Sequence, residues 1–87
     1  MQLWRIIKVT HANDETVDKF ADRNRIGKLV SNTLPLKVGM PLRLVYVGGE
    51  KEGGIIQHSS VVRVEKDENG TKLYTANTMV LLEEVRG

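Results

Sequence analysis

Cysteine is absent from the 87 residues, and with it go a disulfide framework, a thiolate nucleophile and any thiolate-ligated zinc or iron–sulfur centre. Aromatic residues are nearly as scarce, at 5%. The core therefore has to be assembled from Leu, Val, Ile and Met, with Trp4, Phe20, Tyr46 and Tyr74 as its few large pieces. No run approaches the roughly 18 apolar residues that a membrane-spanning helix requires, and the opening residues Met1 to Arg5 show no basic region leading into an apolar stretch. A cytoplasmic chain without membrane contact is the expectation. Net charge is also small, +2 from 13 basic and 11 acidic side chains, which by itself gives no reason to expect a nucleic-acid partner. A chain of this size buries only about 60 to 65% of its extended surface, so residues 1–87 are expected to form a single domain around one core.

What is present is mostly strand. Val62 and Val64 alternate with Arg63 and Glu65, then Asp67-Glu68-Asn69-Gly70 interrupts, and Leu73 resumes the pattern between Lys72 and Tyr74. The Asn69-Gly70 pair supplies the positive φ angles that a tight hairpin needs. After a second reversal at Ala76 and Asn77, Met79-Val80-Leu81-Leu82 is apolar without alternation, as expected of a strand covered on both faces. This predicts a three-strand meander. Leu3, Trp4, Ile6, Ile7 and Val9 read as another strand, expected to pair with the C-terminal one. From Asp14 to Arg25, Val17, Phe20 and Ala21 fall three and four apart, which predicts a short helix capped by Asn13 or Asp14, with Phe20 buried and Gly27 stopping it. Lys28-Leu29-Val30 begins a weak strand, limited by Pro35 and expected to be short or at an edge. Leu42 to Val47 is a firm strand with Leu42, Leu44 and Tyr46 on one face, and a Gly-rich loop from Gly48 to Gly54 joins it to Ile55–Gln57.

About six short strands and one short helix predict a mainly β fold, a small, partly closed β-barrel of the SH3-like kind. An OB-like or PUA-like barrel with the helix as a plug, and a curled sheet with the helix packed across it, fit the same pattern.

The letters Ser59-Ser60-Val61-Val62, Val64-Glu65, Tyr74-Thr75, Asn77-Thr78 and Leu82-Glu83 resemble the C-terminal part of small uncharacterised β-rich proteins from phages and plasmids of Gram-positive bacteria. The resemblance covers about a third of the chain and brings no catalytic residue. It implies a mobile element, in the company of accessory or regulatory proteins.

Chemistry-bearing clusters are few. The loop of paired glycines lacks the lysine–hydroxyl ending of a P-loop, and Glu50 and Glu52 would repel phosphate. His58 stands beside Ser59 and Ser60, but neighbours on a strand point to opposite faces, and nothing marks a carboxylate or an oxyanion hole. His11 and His58 are the only imidazoles, too few for a metal site without distant carboxylates. No catalytic, cofactor or metal residue is assigned. The one uneven feature is charge: from Lys19 to Arg43 six cations stand against the single acid Asp22, a local balance of +5. Arg23, Arg25, Lys28 and Arg43 are the residues that could track a phosphate backbone, with Tyr46 or Trp4 to stack a base.

The chain is accordingly expected to be a non-enzymatic binding or assembly module that engages a protein partner or itself. A homodimer is expected, paired at the weak strand around Leu29 to Thr33. A nucleic-acid-binding regulator is the alternative.

Overall fold

The computed structural model describes residues 2–14 and 16–86. Among these residues seven strands and one helix follow in chain order: β1 (Leu3–His11), α1 (Lys19–Asn24), β2 (Leu29–Asn32), β3 (Pro41–Tyr46), β4 (Ile55–Ser60), β5 (Arg63–Asp67), β6 (Gly70–Tyr74) and β7 (Thr78–Glu84). One antiparallel sheet holds all seven, in the order β4-β3-β2-β1-β7-β6-β5. The meander β5-β6-β7 and the pairing of β1 with β7 are those the alternation predicts. None of the helical segments described is long and apolar enough to cross a membrane.

The two strands at the ends of this order, β4 and β5, are consecutive in the chain, joined through Val61 and Val62 alone. Laid flat, they would stand roughly 29 Å apart, six strand spacings. The link from Ser60 to Arg63 spans at most about 11 Å. The sheet therefore coils until its ends meet at a corner. Val61 exchanges hydrogen bonds with the β3 side, accepting from Gly39 N–H at 2.9 Å and donating to Met40 O at 2.8 Å. Val62 N–H turns to the other side and donates to Tyr74 O at 2.7 Å. β4 and β5 are not paired with each other, so the ladder stays open.

Register explains the core. Trp4 and Ile6 face inward, and an irregularity between Ile6 and Lys8 shifts the phase so that Val9, not Lys8, is the next residue inside. On β7, Val80 and Leu82 join these in the main core with Val30, Leu42, Leu44, Ile56, Val61 and Leu73. Met79 and Leu81 face the other way and pack with Tyr74 and Ile7 in a smaller cluster, which accounts for a strand apolar without alternation.

Three expectations are corrected. The helix is not Asp14–Arg25 but six residues long, Lys19–Asn24, and Asp18 is its cap, accepting from Ala21 N–H at 3.1 Å. The preceding residues are held to β1 instead: His11 N–H donates to Thr16 O, Asp18 N–H donates to Val9 O, and Val17 bridges Thr10. Asp14 turns the chain here, its carboxylate accepting from the Thr16 hydroxyl and N–H, which holds its pKa below the ordinary carboxylate value. Glu15 lies outside the described residues. Only Ala21 of the expected apolar stripe is buried, and Phe20 is 65% exposed. Secondly, β2 is short, as expected, but the free edge expected around Leu29 to Thr33 is absent, since β2 pairs with β1 on one side and β3 on the other. Thirdly, the tight turn lies one residue earlier than expected, Glu68-Asn69 between the paired Asp67 and Gly70. Gly70 opens β6 with φ at +140°, and a Cβ there would run into the Leu82 carbonyl of β7.

Candidate functional site

The short helix sets the position of two of the four cations singled out by sequence. Ala21 anchors α1 in the main core, which leaves Arg23 exposed in the last turn and sends Arg25, the C-cap, back over the helix. The Arg25 guanidinium lies 5.5 Å from the centroid of the Phe20 ring, and its Nη1 is 3.4 Å from Nε2 of His58. Lys28 is exposed just before β2, beside the loop that follows β3. From that loop Lys51 reaches back, its Nζ donating to Asn24 O at 3.4 Å and lying 5.8 Å from the Tyr46 ring. Arg43 stands apart. Leu42 and Leu44 on either side of it are in the core, so Arg43 projects from the opposite face of the sheet. The aromatic residues are also rearranged: Trp4, expected as a stacking surface, is 6% exposed and donates its indole N–H to Asn32 Oδ1, whereas Phe20 is the open ring.

His58 is half-buried on β4. Burial lowers its pKa below the ordinary imidazole value, the Arg25 cation lowers it further, and Asp18 partly opposes both. Its hydrogen-bond neighbour is Arg25; no hydrogen bond joins it to Ser59 or Ser60, which are exposed. No group of three or more His, Asp or Glu side chains gathers among the described residues. Over Met79 and Leu81 the outer face carries a depression of about 500 Å³, but Lys8 and Lys72 are opposed there by Glu68 and Glu83. Such a balance selects neither anion nor cation.

Strands paired on one side only lie at the sheet's ends. β4 pairs only with β3 and β5 only with β6, so each presents a row of N–H and C=O groups to solvent. β5 reads Arg-Val-Glu-Lys-Asp and is covered by charge. β4 reads Ile-Ile-Gln-His-Ser-Ser and carries no formal charge. Sequence reasoning assigned the weak edge to Leu29–Thr33 and overlooked β4; the signal available was that β4 lacks the lysines and acids that usually guard an edge.

The hydrogen-bond phase shows which groups are free. Arg43 O accepts from Thr33 N–H and Val47 N–H donates to Leu29 O, so alternate residues of β3 bond toward β2. Tyr46 N–H donates to Gly54 O at 2.9 Å, so the intervening residues bond toward β4. Of the paired residues, Ile56 opposite Leu44 is thus tied inward, while Ile55 opposite Val45 and Gln57 opposite Arg43 turn their backbone groups outward. Ile55 is 53% exposed. Beyond Gln57 the register shifts before Ser60, and regular edge geometry ends. No family model, curated protein or solved structure matches the chain.

Proposed function

We propose that this chain is a non-enzymatic binding or assembly module, a partly closed barrel of the SH3-like kind, that takes up a protein strand from a partner or from a second copy along β4. The observation that carries the reading is the uncharged open edge with Ile55 and Gln57 facing outward. Strand addition recovers backbone hydrogen bonds there, and the alternate side chains set selectivity. Self-association, including the expected homodimer, would use this edge, because β2 is enclosed on both sides. The resemblance of residues between Ser59 and Glu83 to proteins of mobile elements is compatible with an accessory role of this sort.

Gln57→Pro tests the reading. Its N–H points away from β3, so proline removes a docking group without breaking the ladder. Wild-type chain at tens of micromolar should either scatter light as a dimer of the 9.8 kDa unit or bind a blocked seven-residue peptide of alternating Val and Thr, and Gln57→Pro should lose that association. Association unchanged in the variant, or none in the wild type, removes the proposal.

The exposure of Phe20 beneath Arg25 favours a second reading, a nucleic-acid-binding regulator in which a base stacks on the ring and Arg23, Arg25 and Lys28 meet phosphates. Arg43, on the other face, contributes little to that surface. Affinity for single-stranded RNA or DNA should then fall steeply with salt, and Arg23→Glu with Arg25→Glu should abolish it, while Lys66→Glu with Lys72→Glu should not. Equal loss in both pairs, or no binding at low salt, ends this reading.

A further inference from the structure

Resting on the edge reading above, we infer that the strand accepted by β4 is an acidic one, with a carboxylate two residues away from an aliphatic side chain. Ile55 and Gln57 provide the outward backbone groups, and their side chains lie on the outer face of the sheet, opposite Val45 and Arg43. Beside Ile55 the surface is apolar, with Val45 half-buried and Val47 exposed. Beside Gln57 it is cationic. The Arg43 Nε is buried and has no hydrogen-bond partner, and no carboxylate pairs with Arg43 among the described residues. A buried guanidinium N–H without an acceptor is costly to leave so.

An added strand would lie two strand spacings from β3, roughly 10 Å away. Arginine reaching across Gln57 and a glutamate reaching back cover that distance together. The aliphatic residue of the incoming segment then falls beside Ile55 and its acid beside Gln57, because same-face positions on a strand are two residues apart. A second copy offering β4 is disfavoured by charge. That strand contains no acid, and it would bring a second Arg43 to the same face. The occupant is therefore an extended acidic segment of another protein.

The test uses the full chain and three labelled peptides, Thr-Val-Thr-X-Thr-Val-Thr, in which X is Glu, Gln or Lys and valine lies two residues away on either side. Fluorescence anisotropy should give the Glu peptide an affinity about tenfold above Gln, with Lys weakest, since a charge-assisted pair at a partly desolvated site is worth roughly this factor. Arg43→Gln should erase the difference between Glu and Gln, and Arg43→Glu should reverse the order in favour of Lys. The reversal is a gain of binding, which misfolding cannot imitate. Equal binding of all three peptides by the wild type, lost in Gln57→Pro, would leave the edge reading standing and overturn the acidic partner. No binding of any peptide would overturn the acidic partner too, and a dimer sensitive to Gln57→Pro would then assign the edge to a second copy.

Discussion

The two ends of the sheet are treated in opposite ways. On β5, four of five residues are charged, and they are tied together: Arg63 Nε is 3.4 Å from Glu65, its guanidinium lies 4.0 Å from the Tyr74 ring centroid, and the Tyr74 hydroxyl donates to Glu65 at 3.2 Å. A strand approaching β5 would have to displace this cover and place its own side chains among charges of both signs. β4 has no such charged cover of its own. The contrast teaches that an open edge is not simply a defect this small fold fails to avoid, because the same sheet protects one edge and leaves the other free.

The largest expected effect strikes the hairpin that holds the guarded edge. Gly70→Val places a branched side chain against the Leu82 carbonyl of β7 at a φ of +140°, so β5 and β6 must move away together. We expect a loss of a few kcal/mol, read as a lower midpoint in thermal or urea unfolding. A midpoint like that of the wild type would mean that the hairpin is not anchored to β7 through this close approach.

A smaller effect is expected from stripping the guard. Arg63→Thr combined with Glu65→Thr keeps good strand formers but removes two of the three outer-face charges of β5, leaving Asp67. Folding stability should change by about 1 kcal/mol or less, because these groups are well exposed. Association should rise, with light scattering showing masses that grow with concentration and survive Gln57→Pro. If the mass does not change, the Arg63 and Glu65 charges are not what keeps β5 unpaired.

The smallest effect concerns acid and the free edge. His58, on β4, has a folded pKa below the ordinary 6.5, chiefly through burial and then through Arg25. The unfolded chain thus takes up the proton first as pH falls, so this residue's contribution to stability is full above about 6.5 and is lost downward through the folded value. Between about pH 7.5 and pH 5 the melting temperature of the wild type should fall more than that of His58→Gln. Parallel curves from scanning calorimetry would show that burial and the Arg25 charge do not disfavour the protonated imidazole.

The meander was legible in the sequence because its information is local: alternation at Val62 to Glu65, an Asn-Gly turn signal and an apolar run from Met79 to Leu82. Even the double coverage of that run could be read, and it corresponds to two separate clusters on the two faces of β7. The helix was overread because Val17, Phe20 and Ala21 have helical spacing, while the hydrogen bonds of Thr16 and Asp18 to β1, which no local pattern encodes, hold Val17 in an extended bridge. The turn was misplaced by one residue for a related reason: Gly70 is required by its approach to a strand ten or so positions further on. Edges were the least legible. Whether Leu29 or Ile55 lies at the rim depends on strand order, and β2 looks weak precisely where both of its sides are occupied. The placement of the cations was only partly readable, since a run of basic residues in sequence does not say that Arg43, between the buried Leu42 and Leu44, leaves by the other face.

Val61 and Val62 have one more implication, for aggregation. Growth into a cross-β stack requires flat strands that can be laid one upon another, and a bare, uncharged edge such as β4 is where such growth begins. In this chain the two-residue corner holds the far ends of the sheet within one short link, so the sheet cannot flatten without first undoing the bonds of Val61 to Met40 and of Val62 to Tyr74. The register shift past Gln57 shortens the straight segment further. A curved edge of this kind opposes an endless pile of added strands.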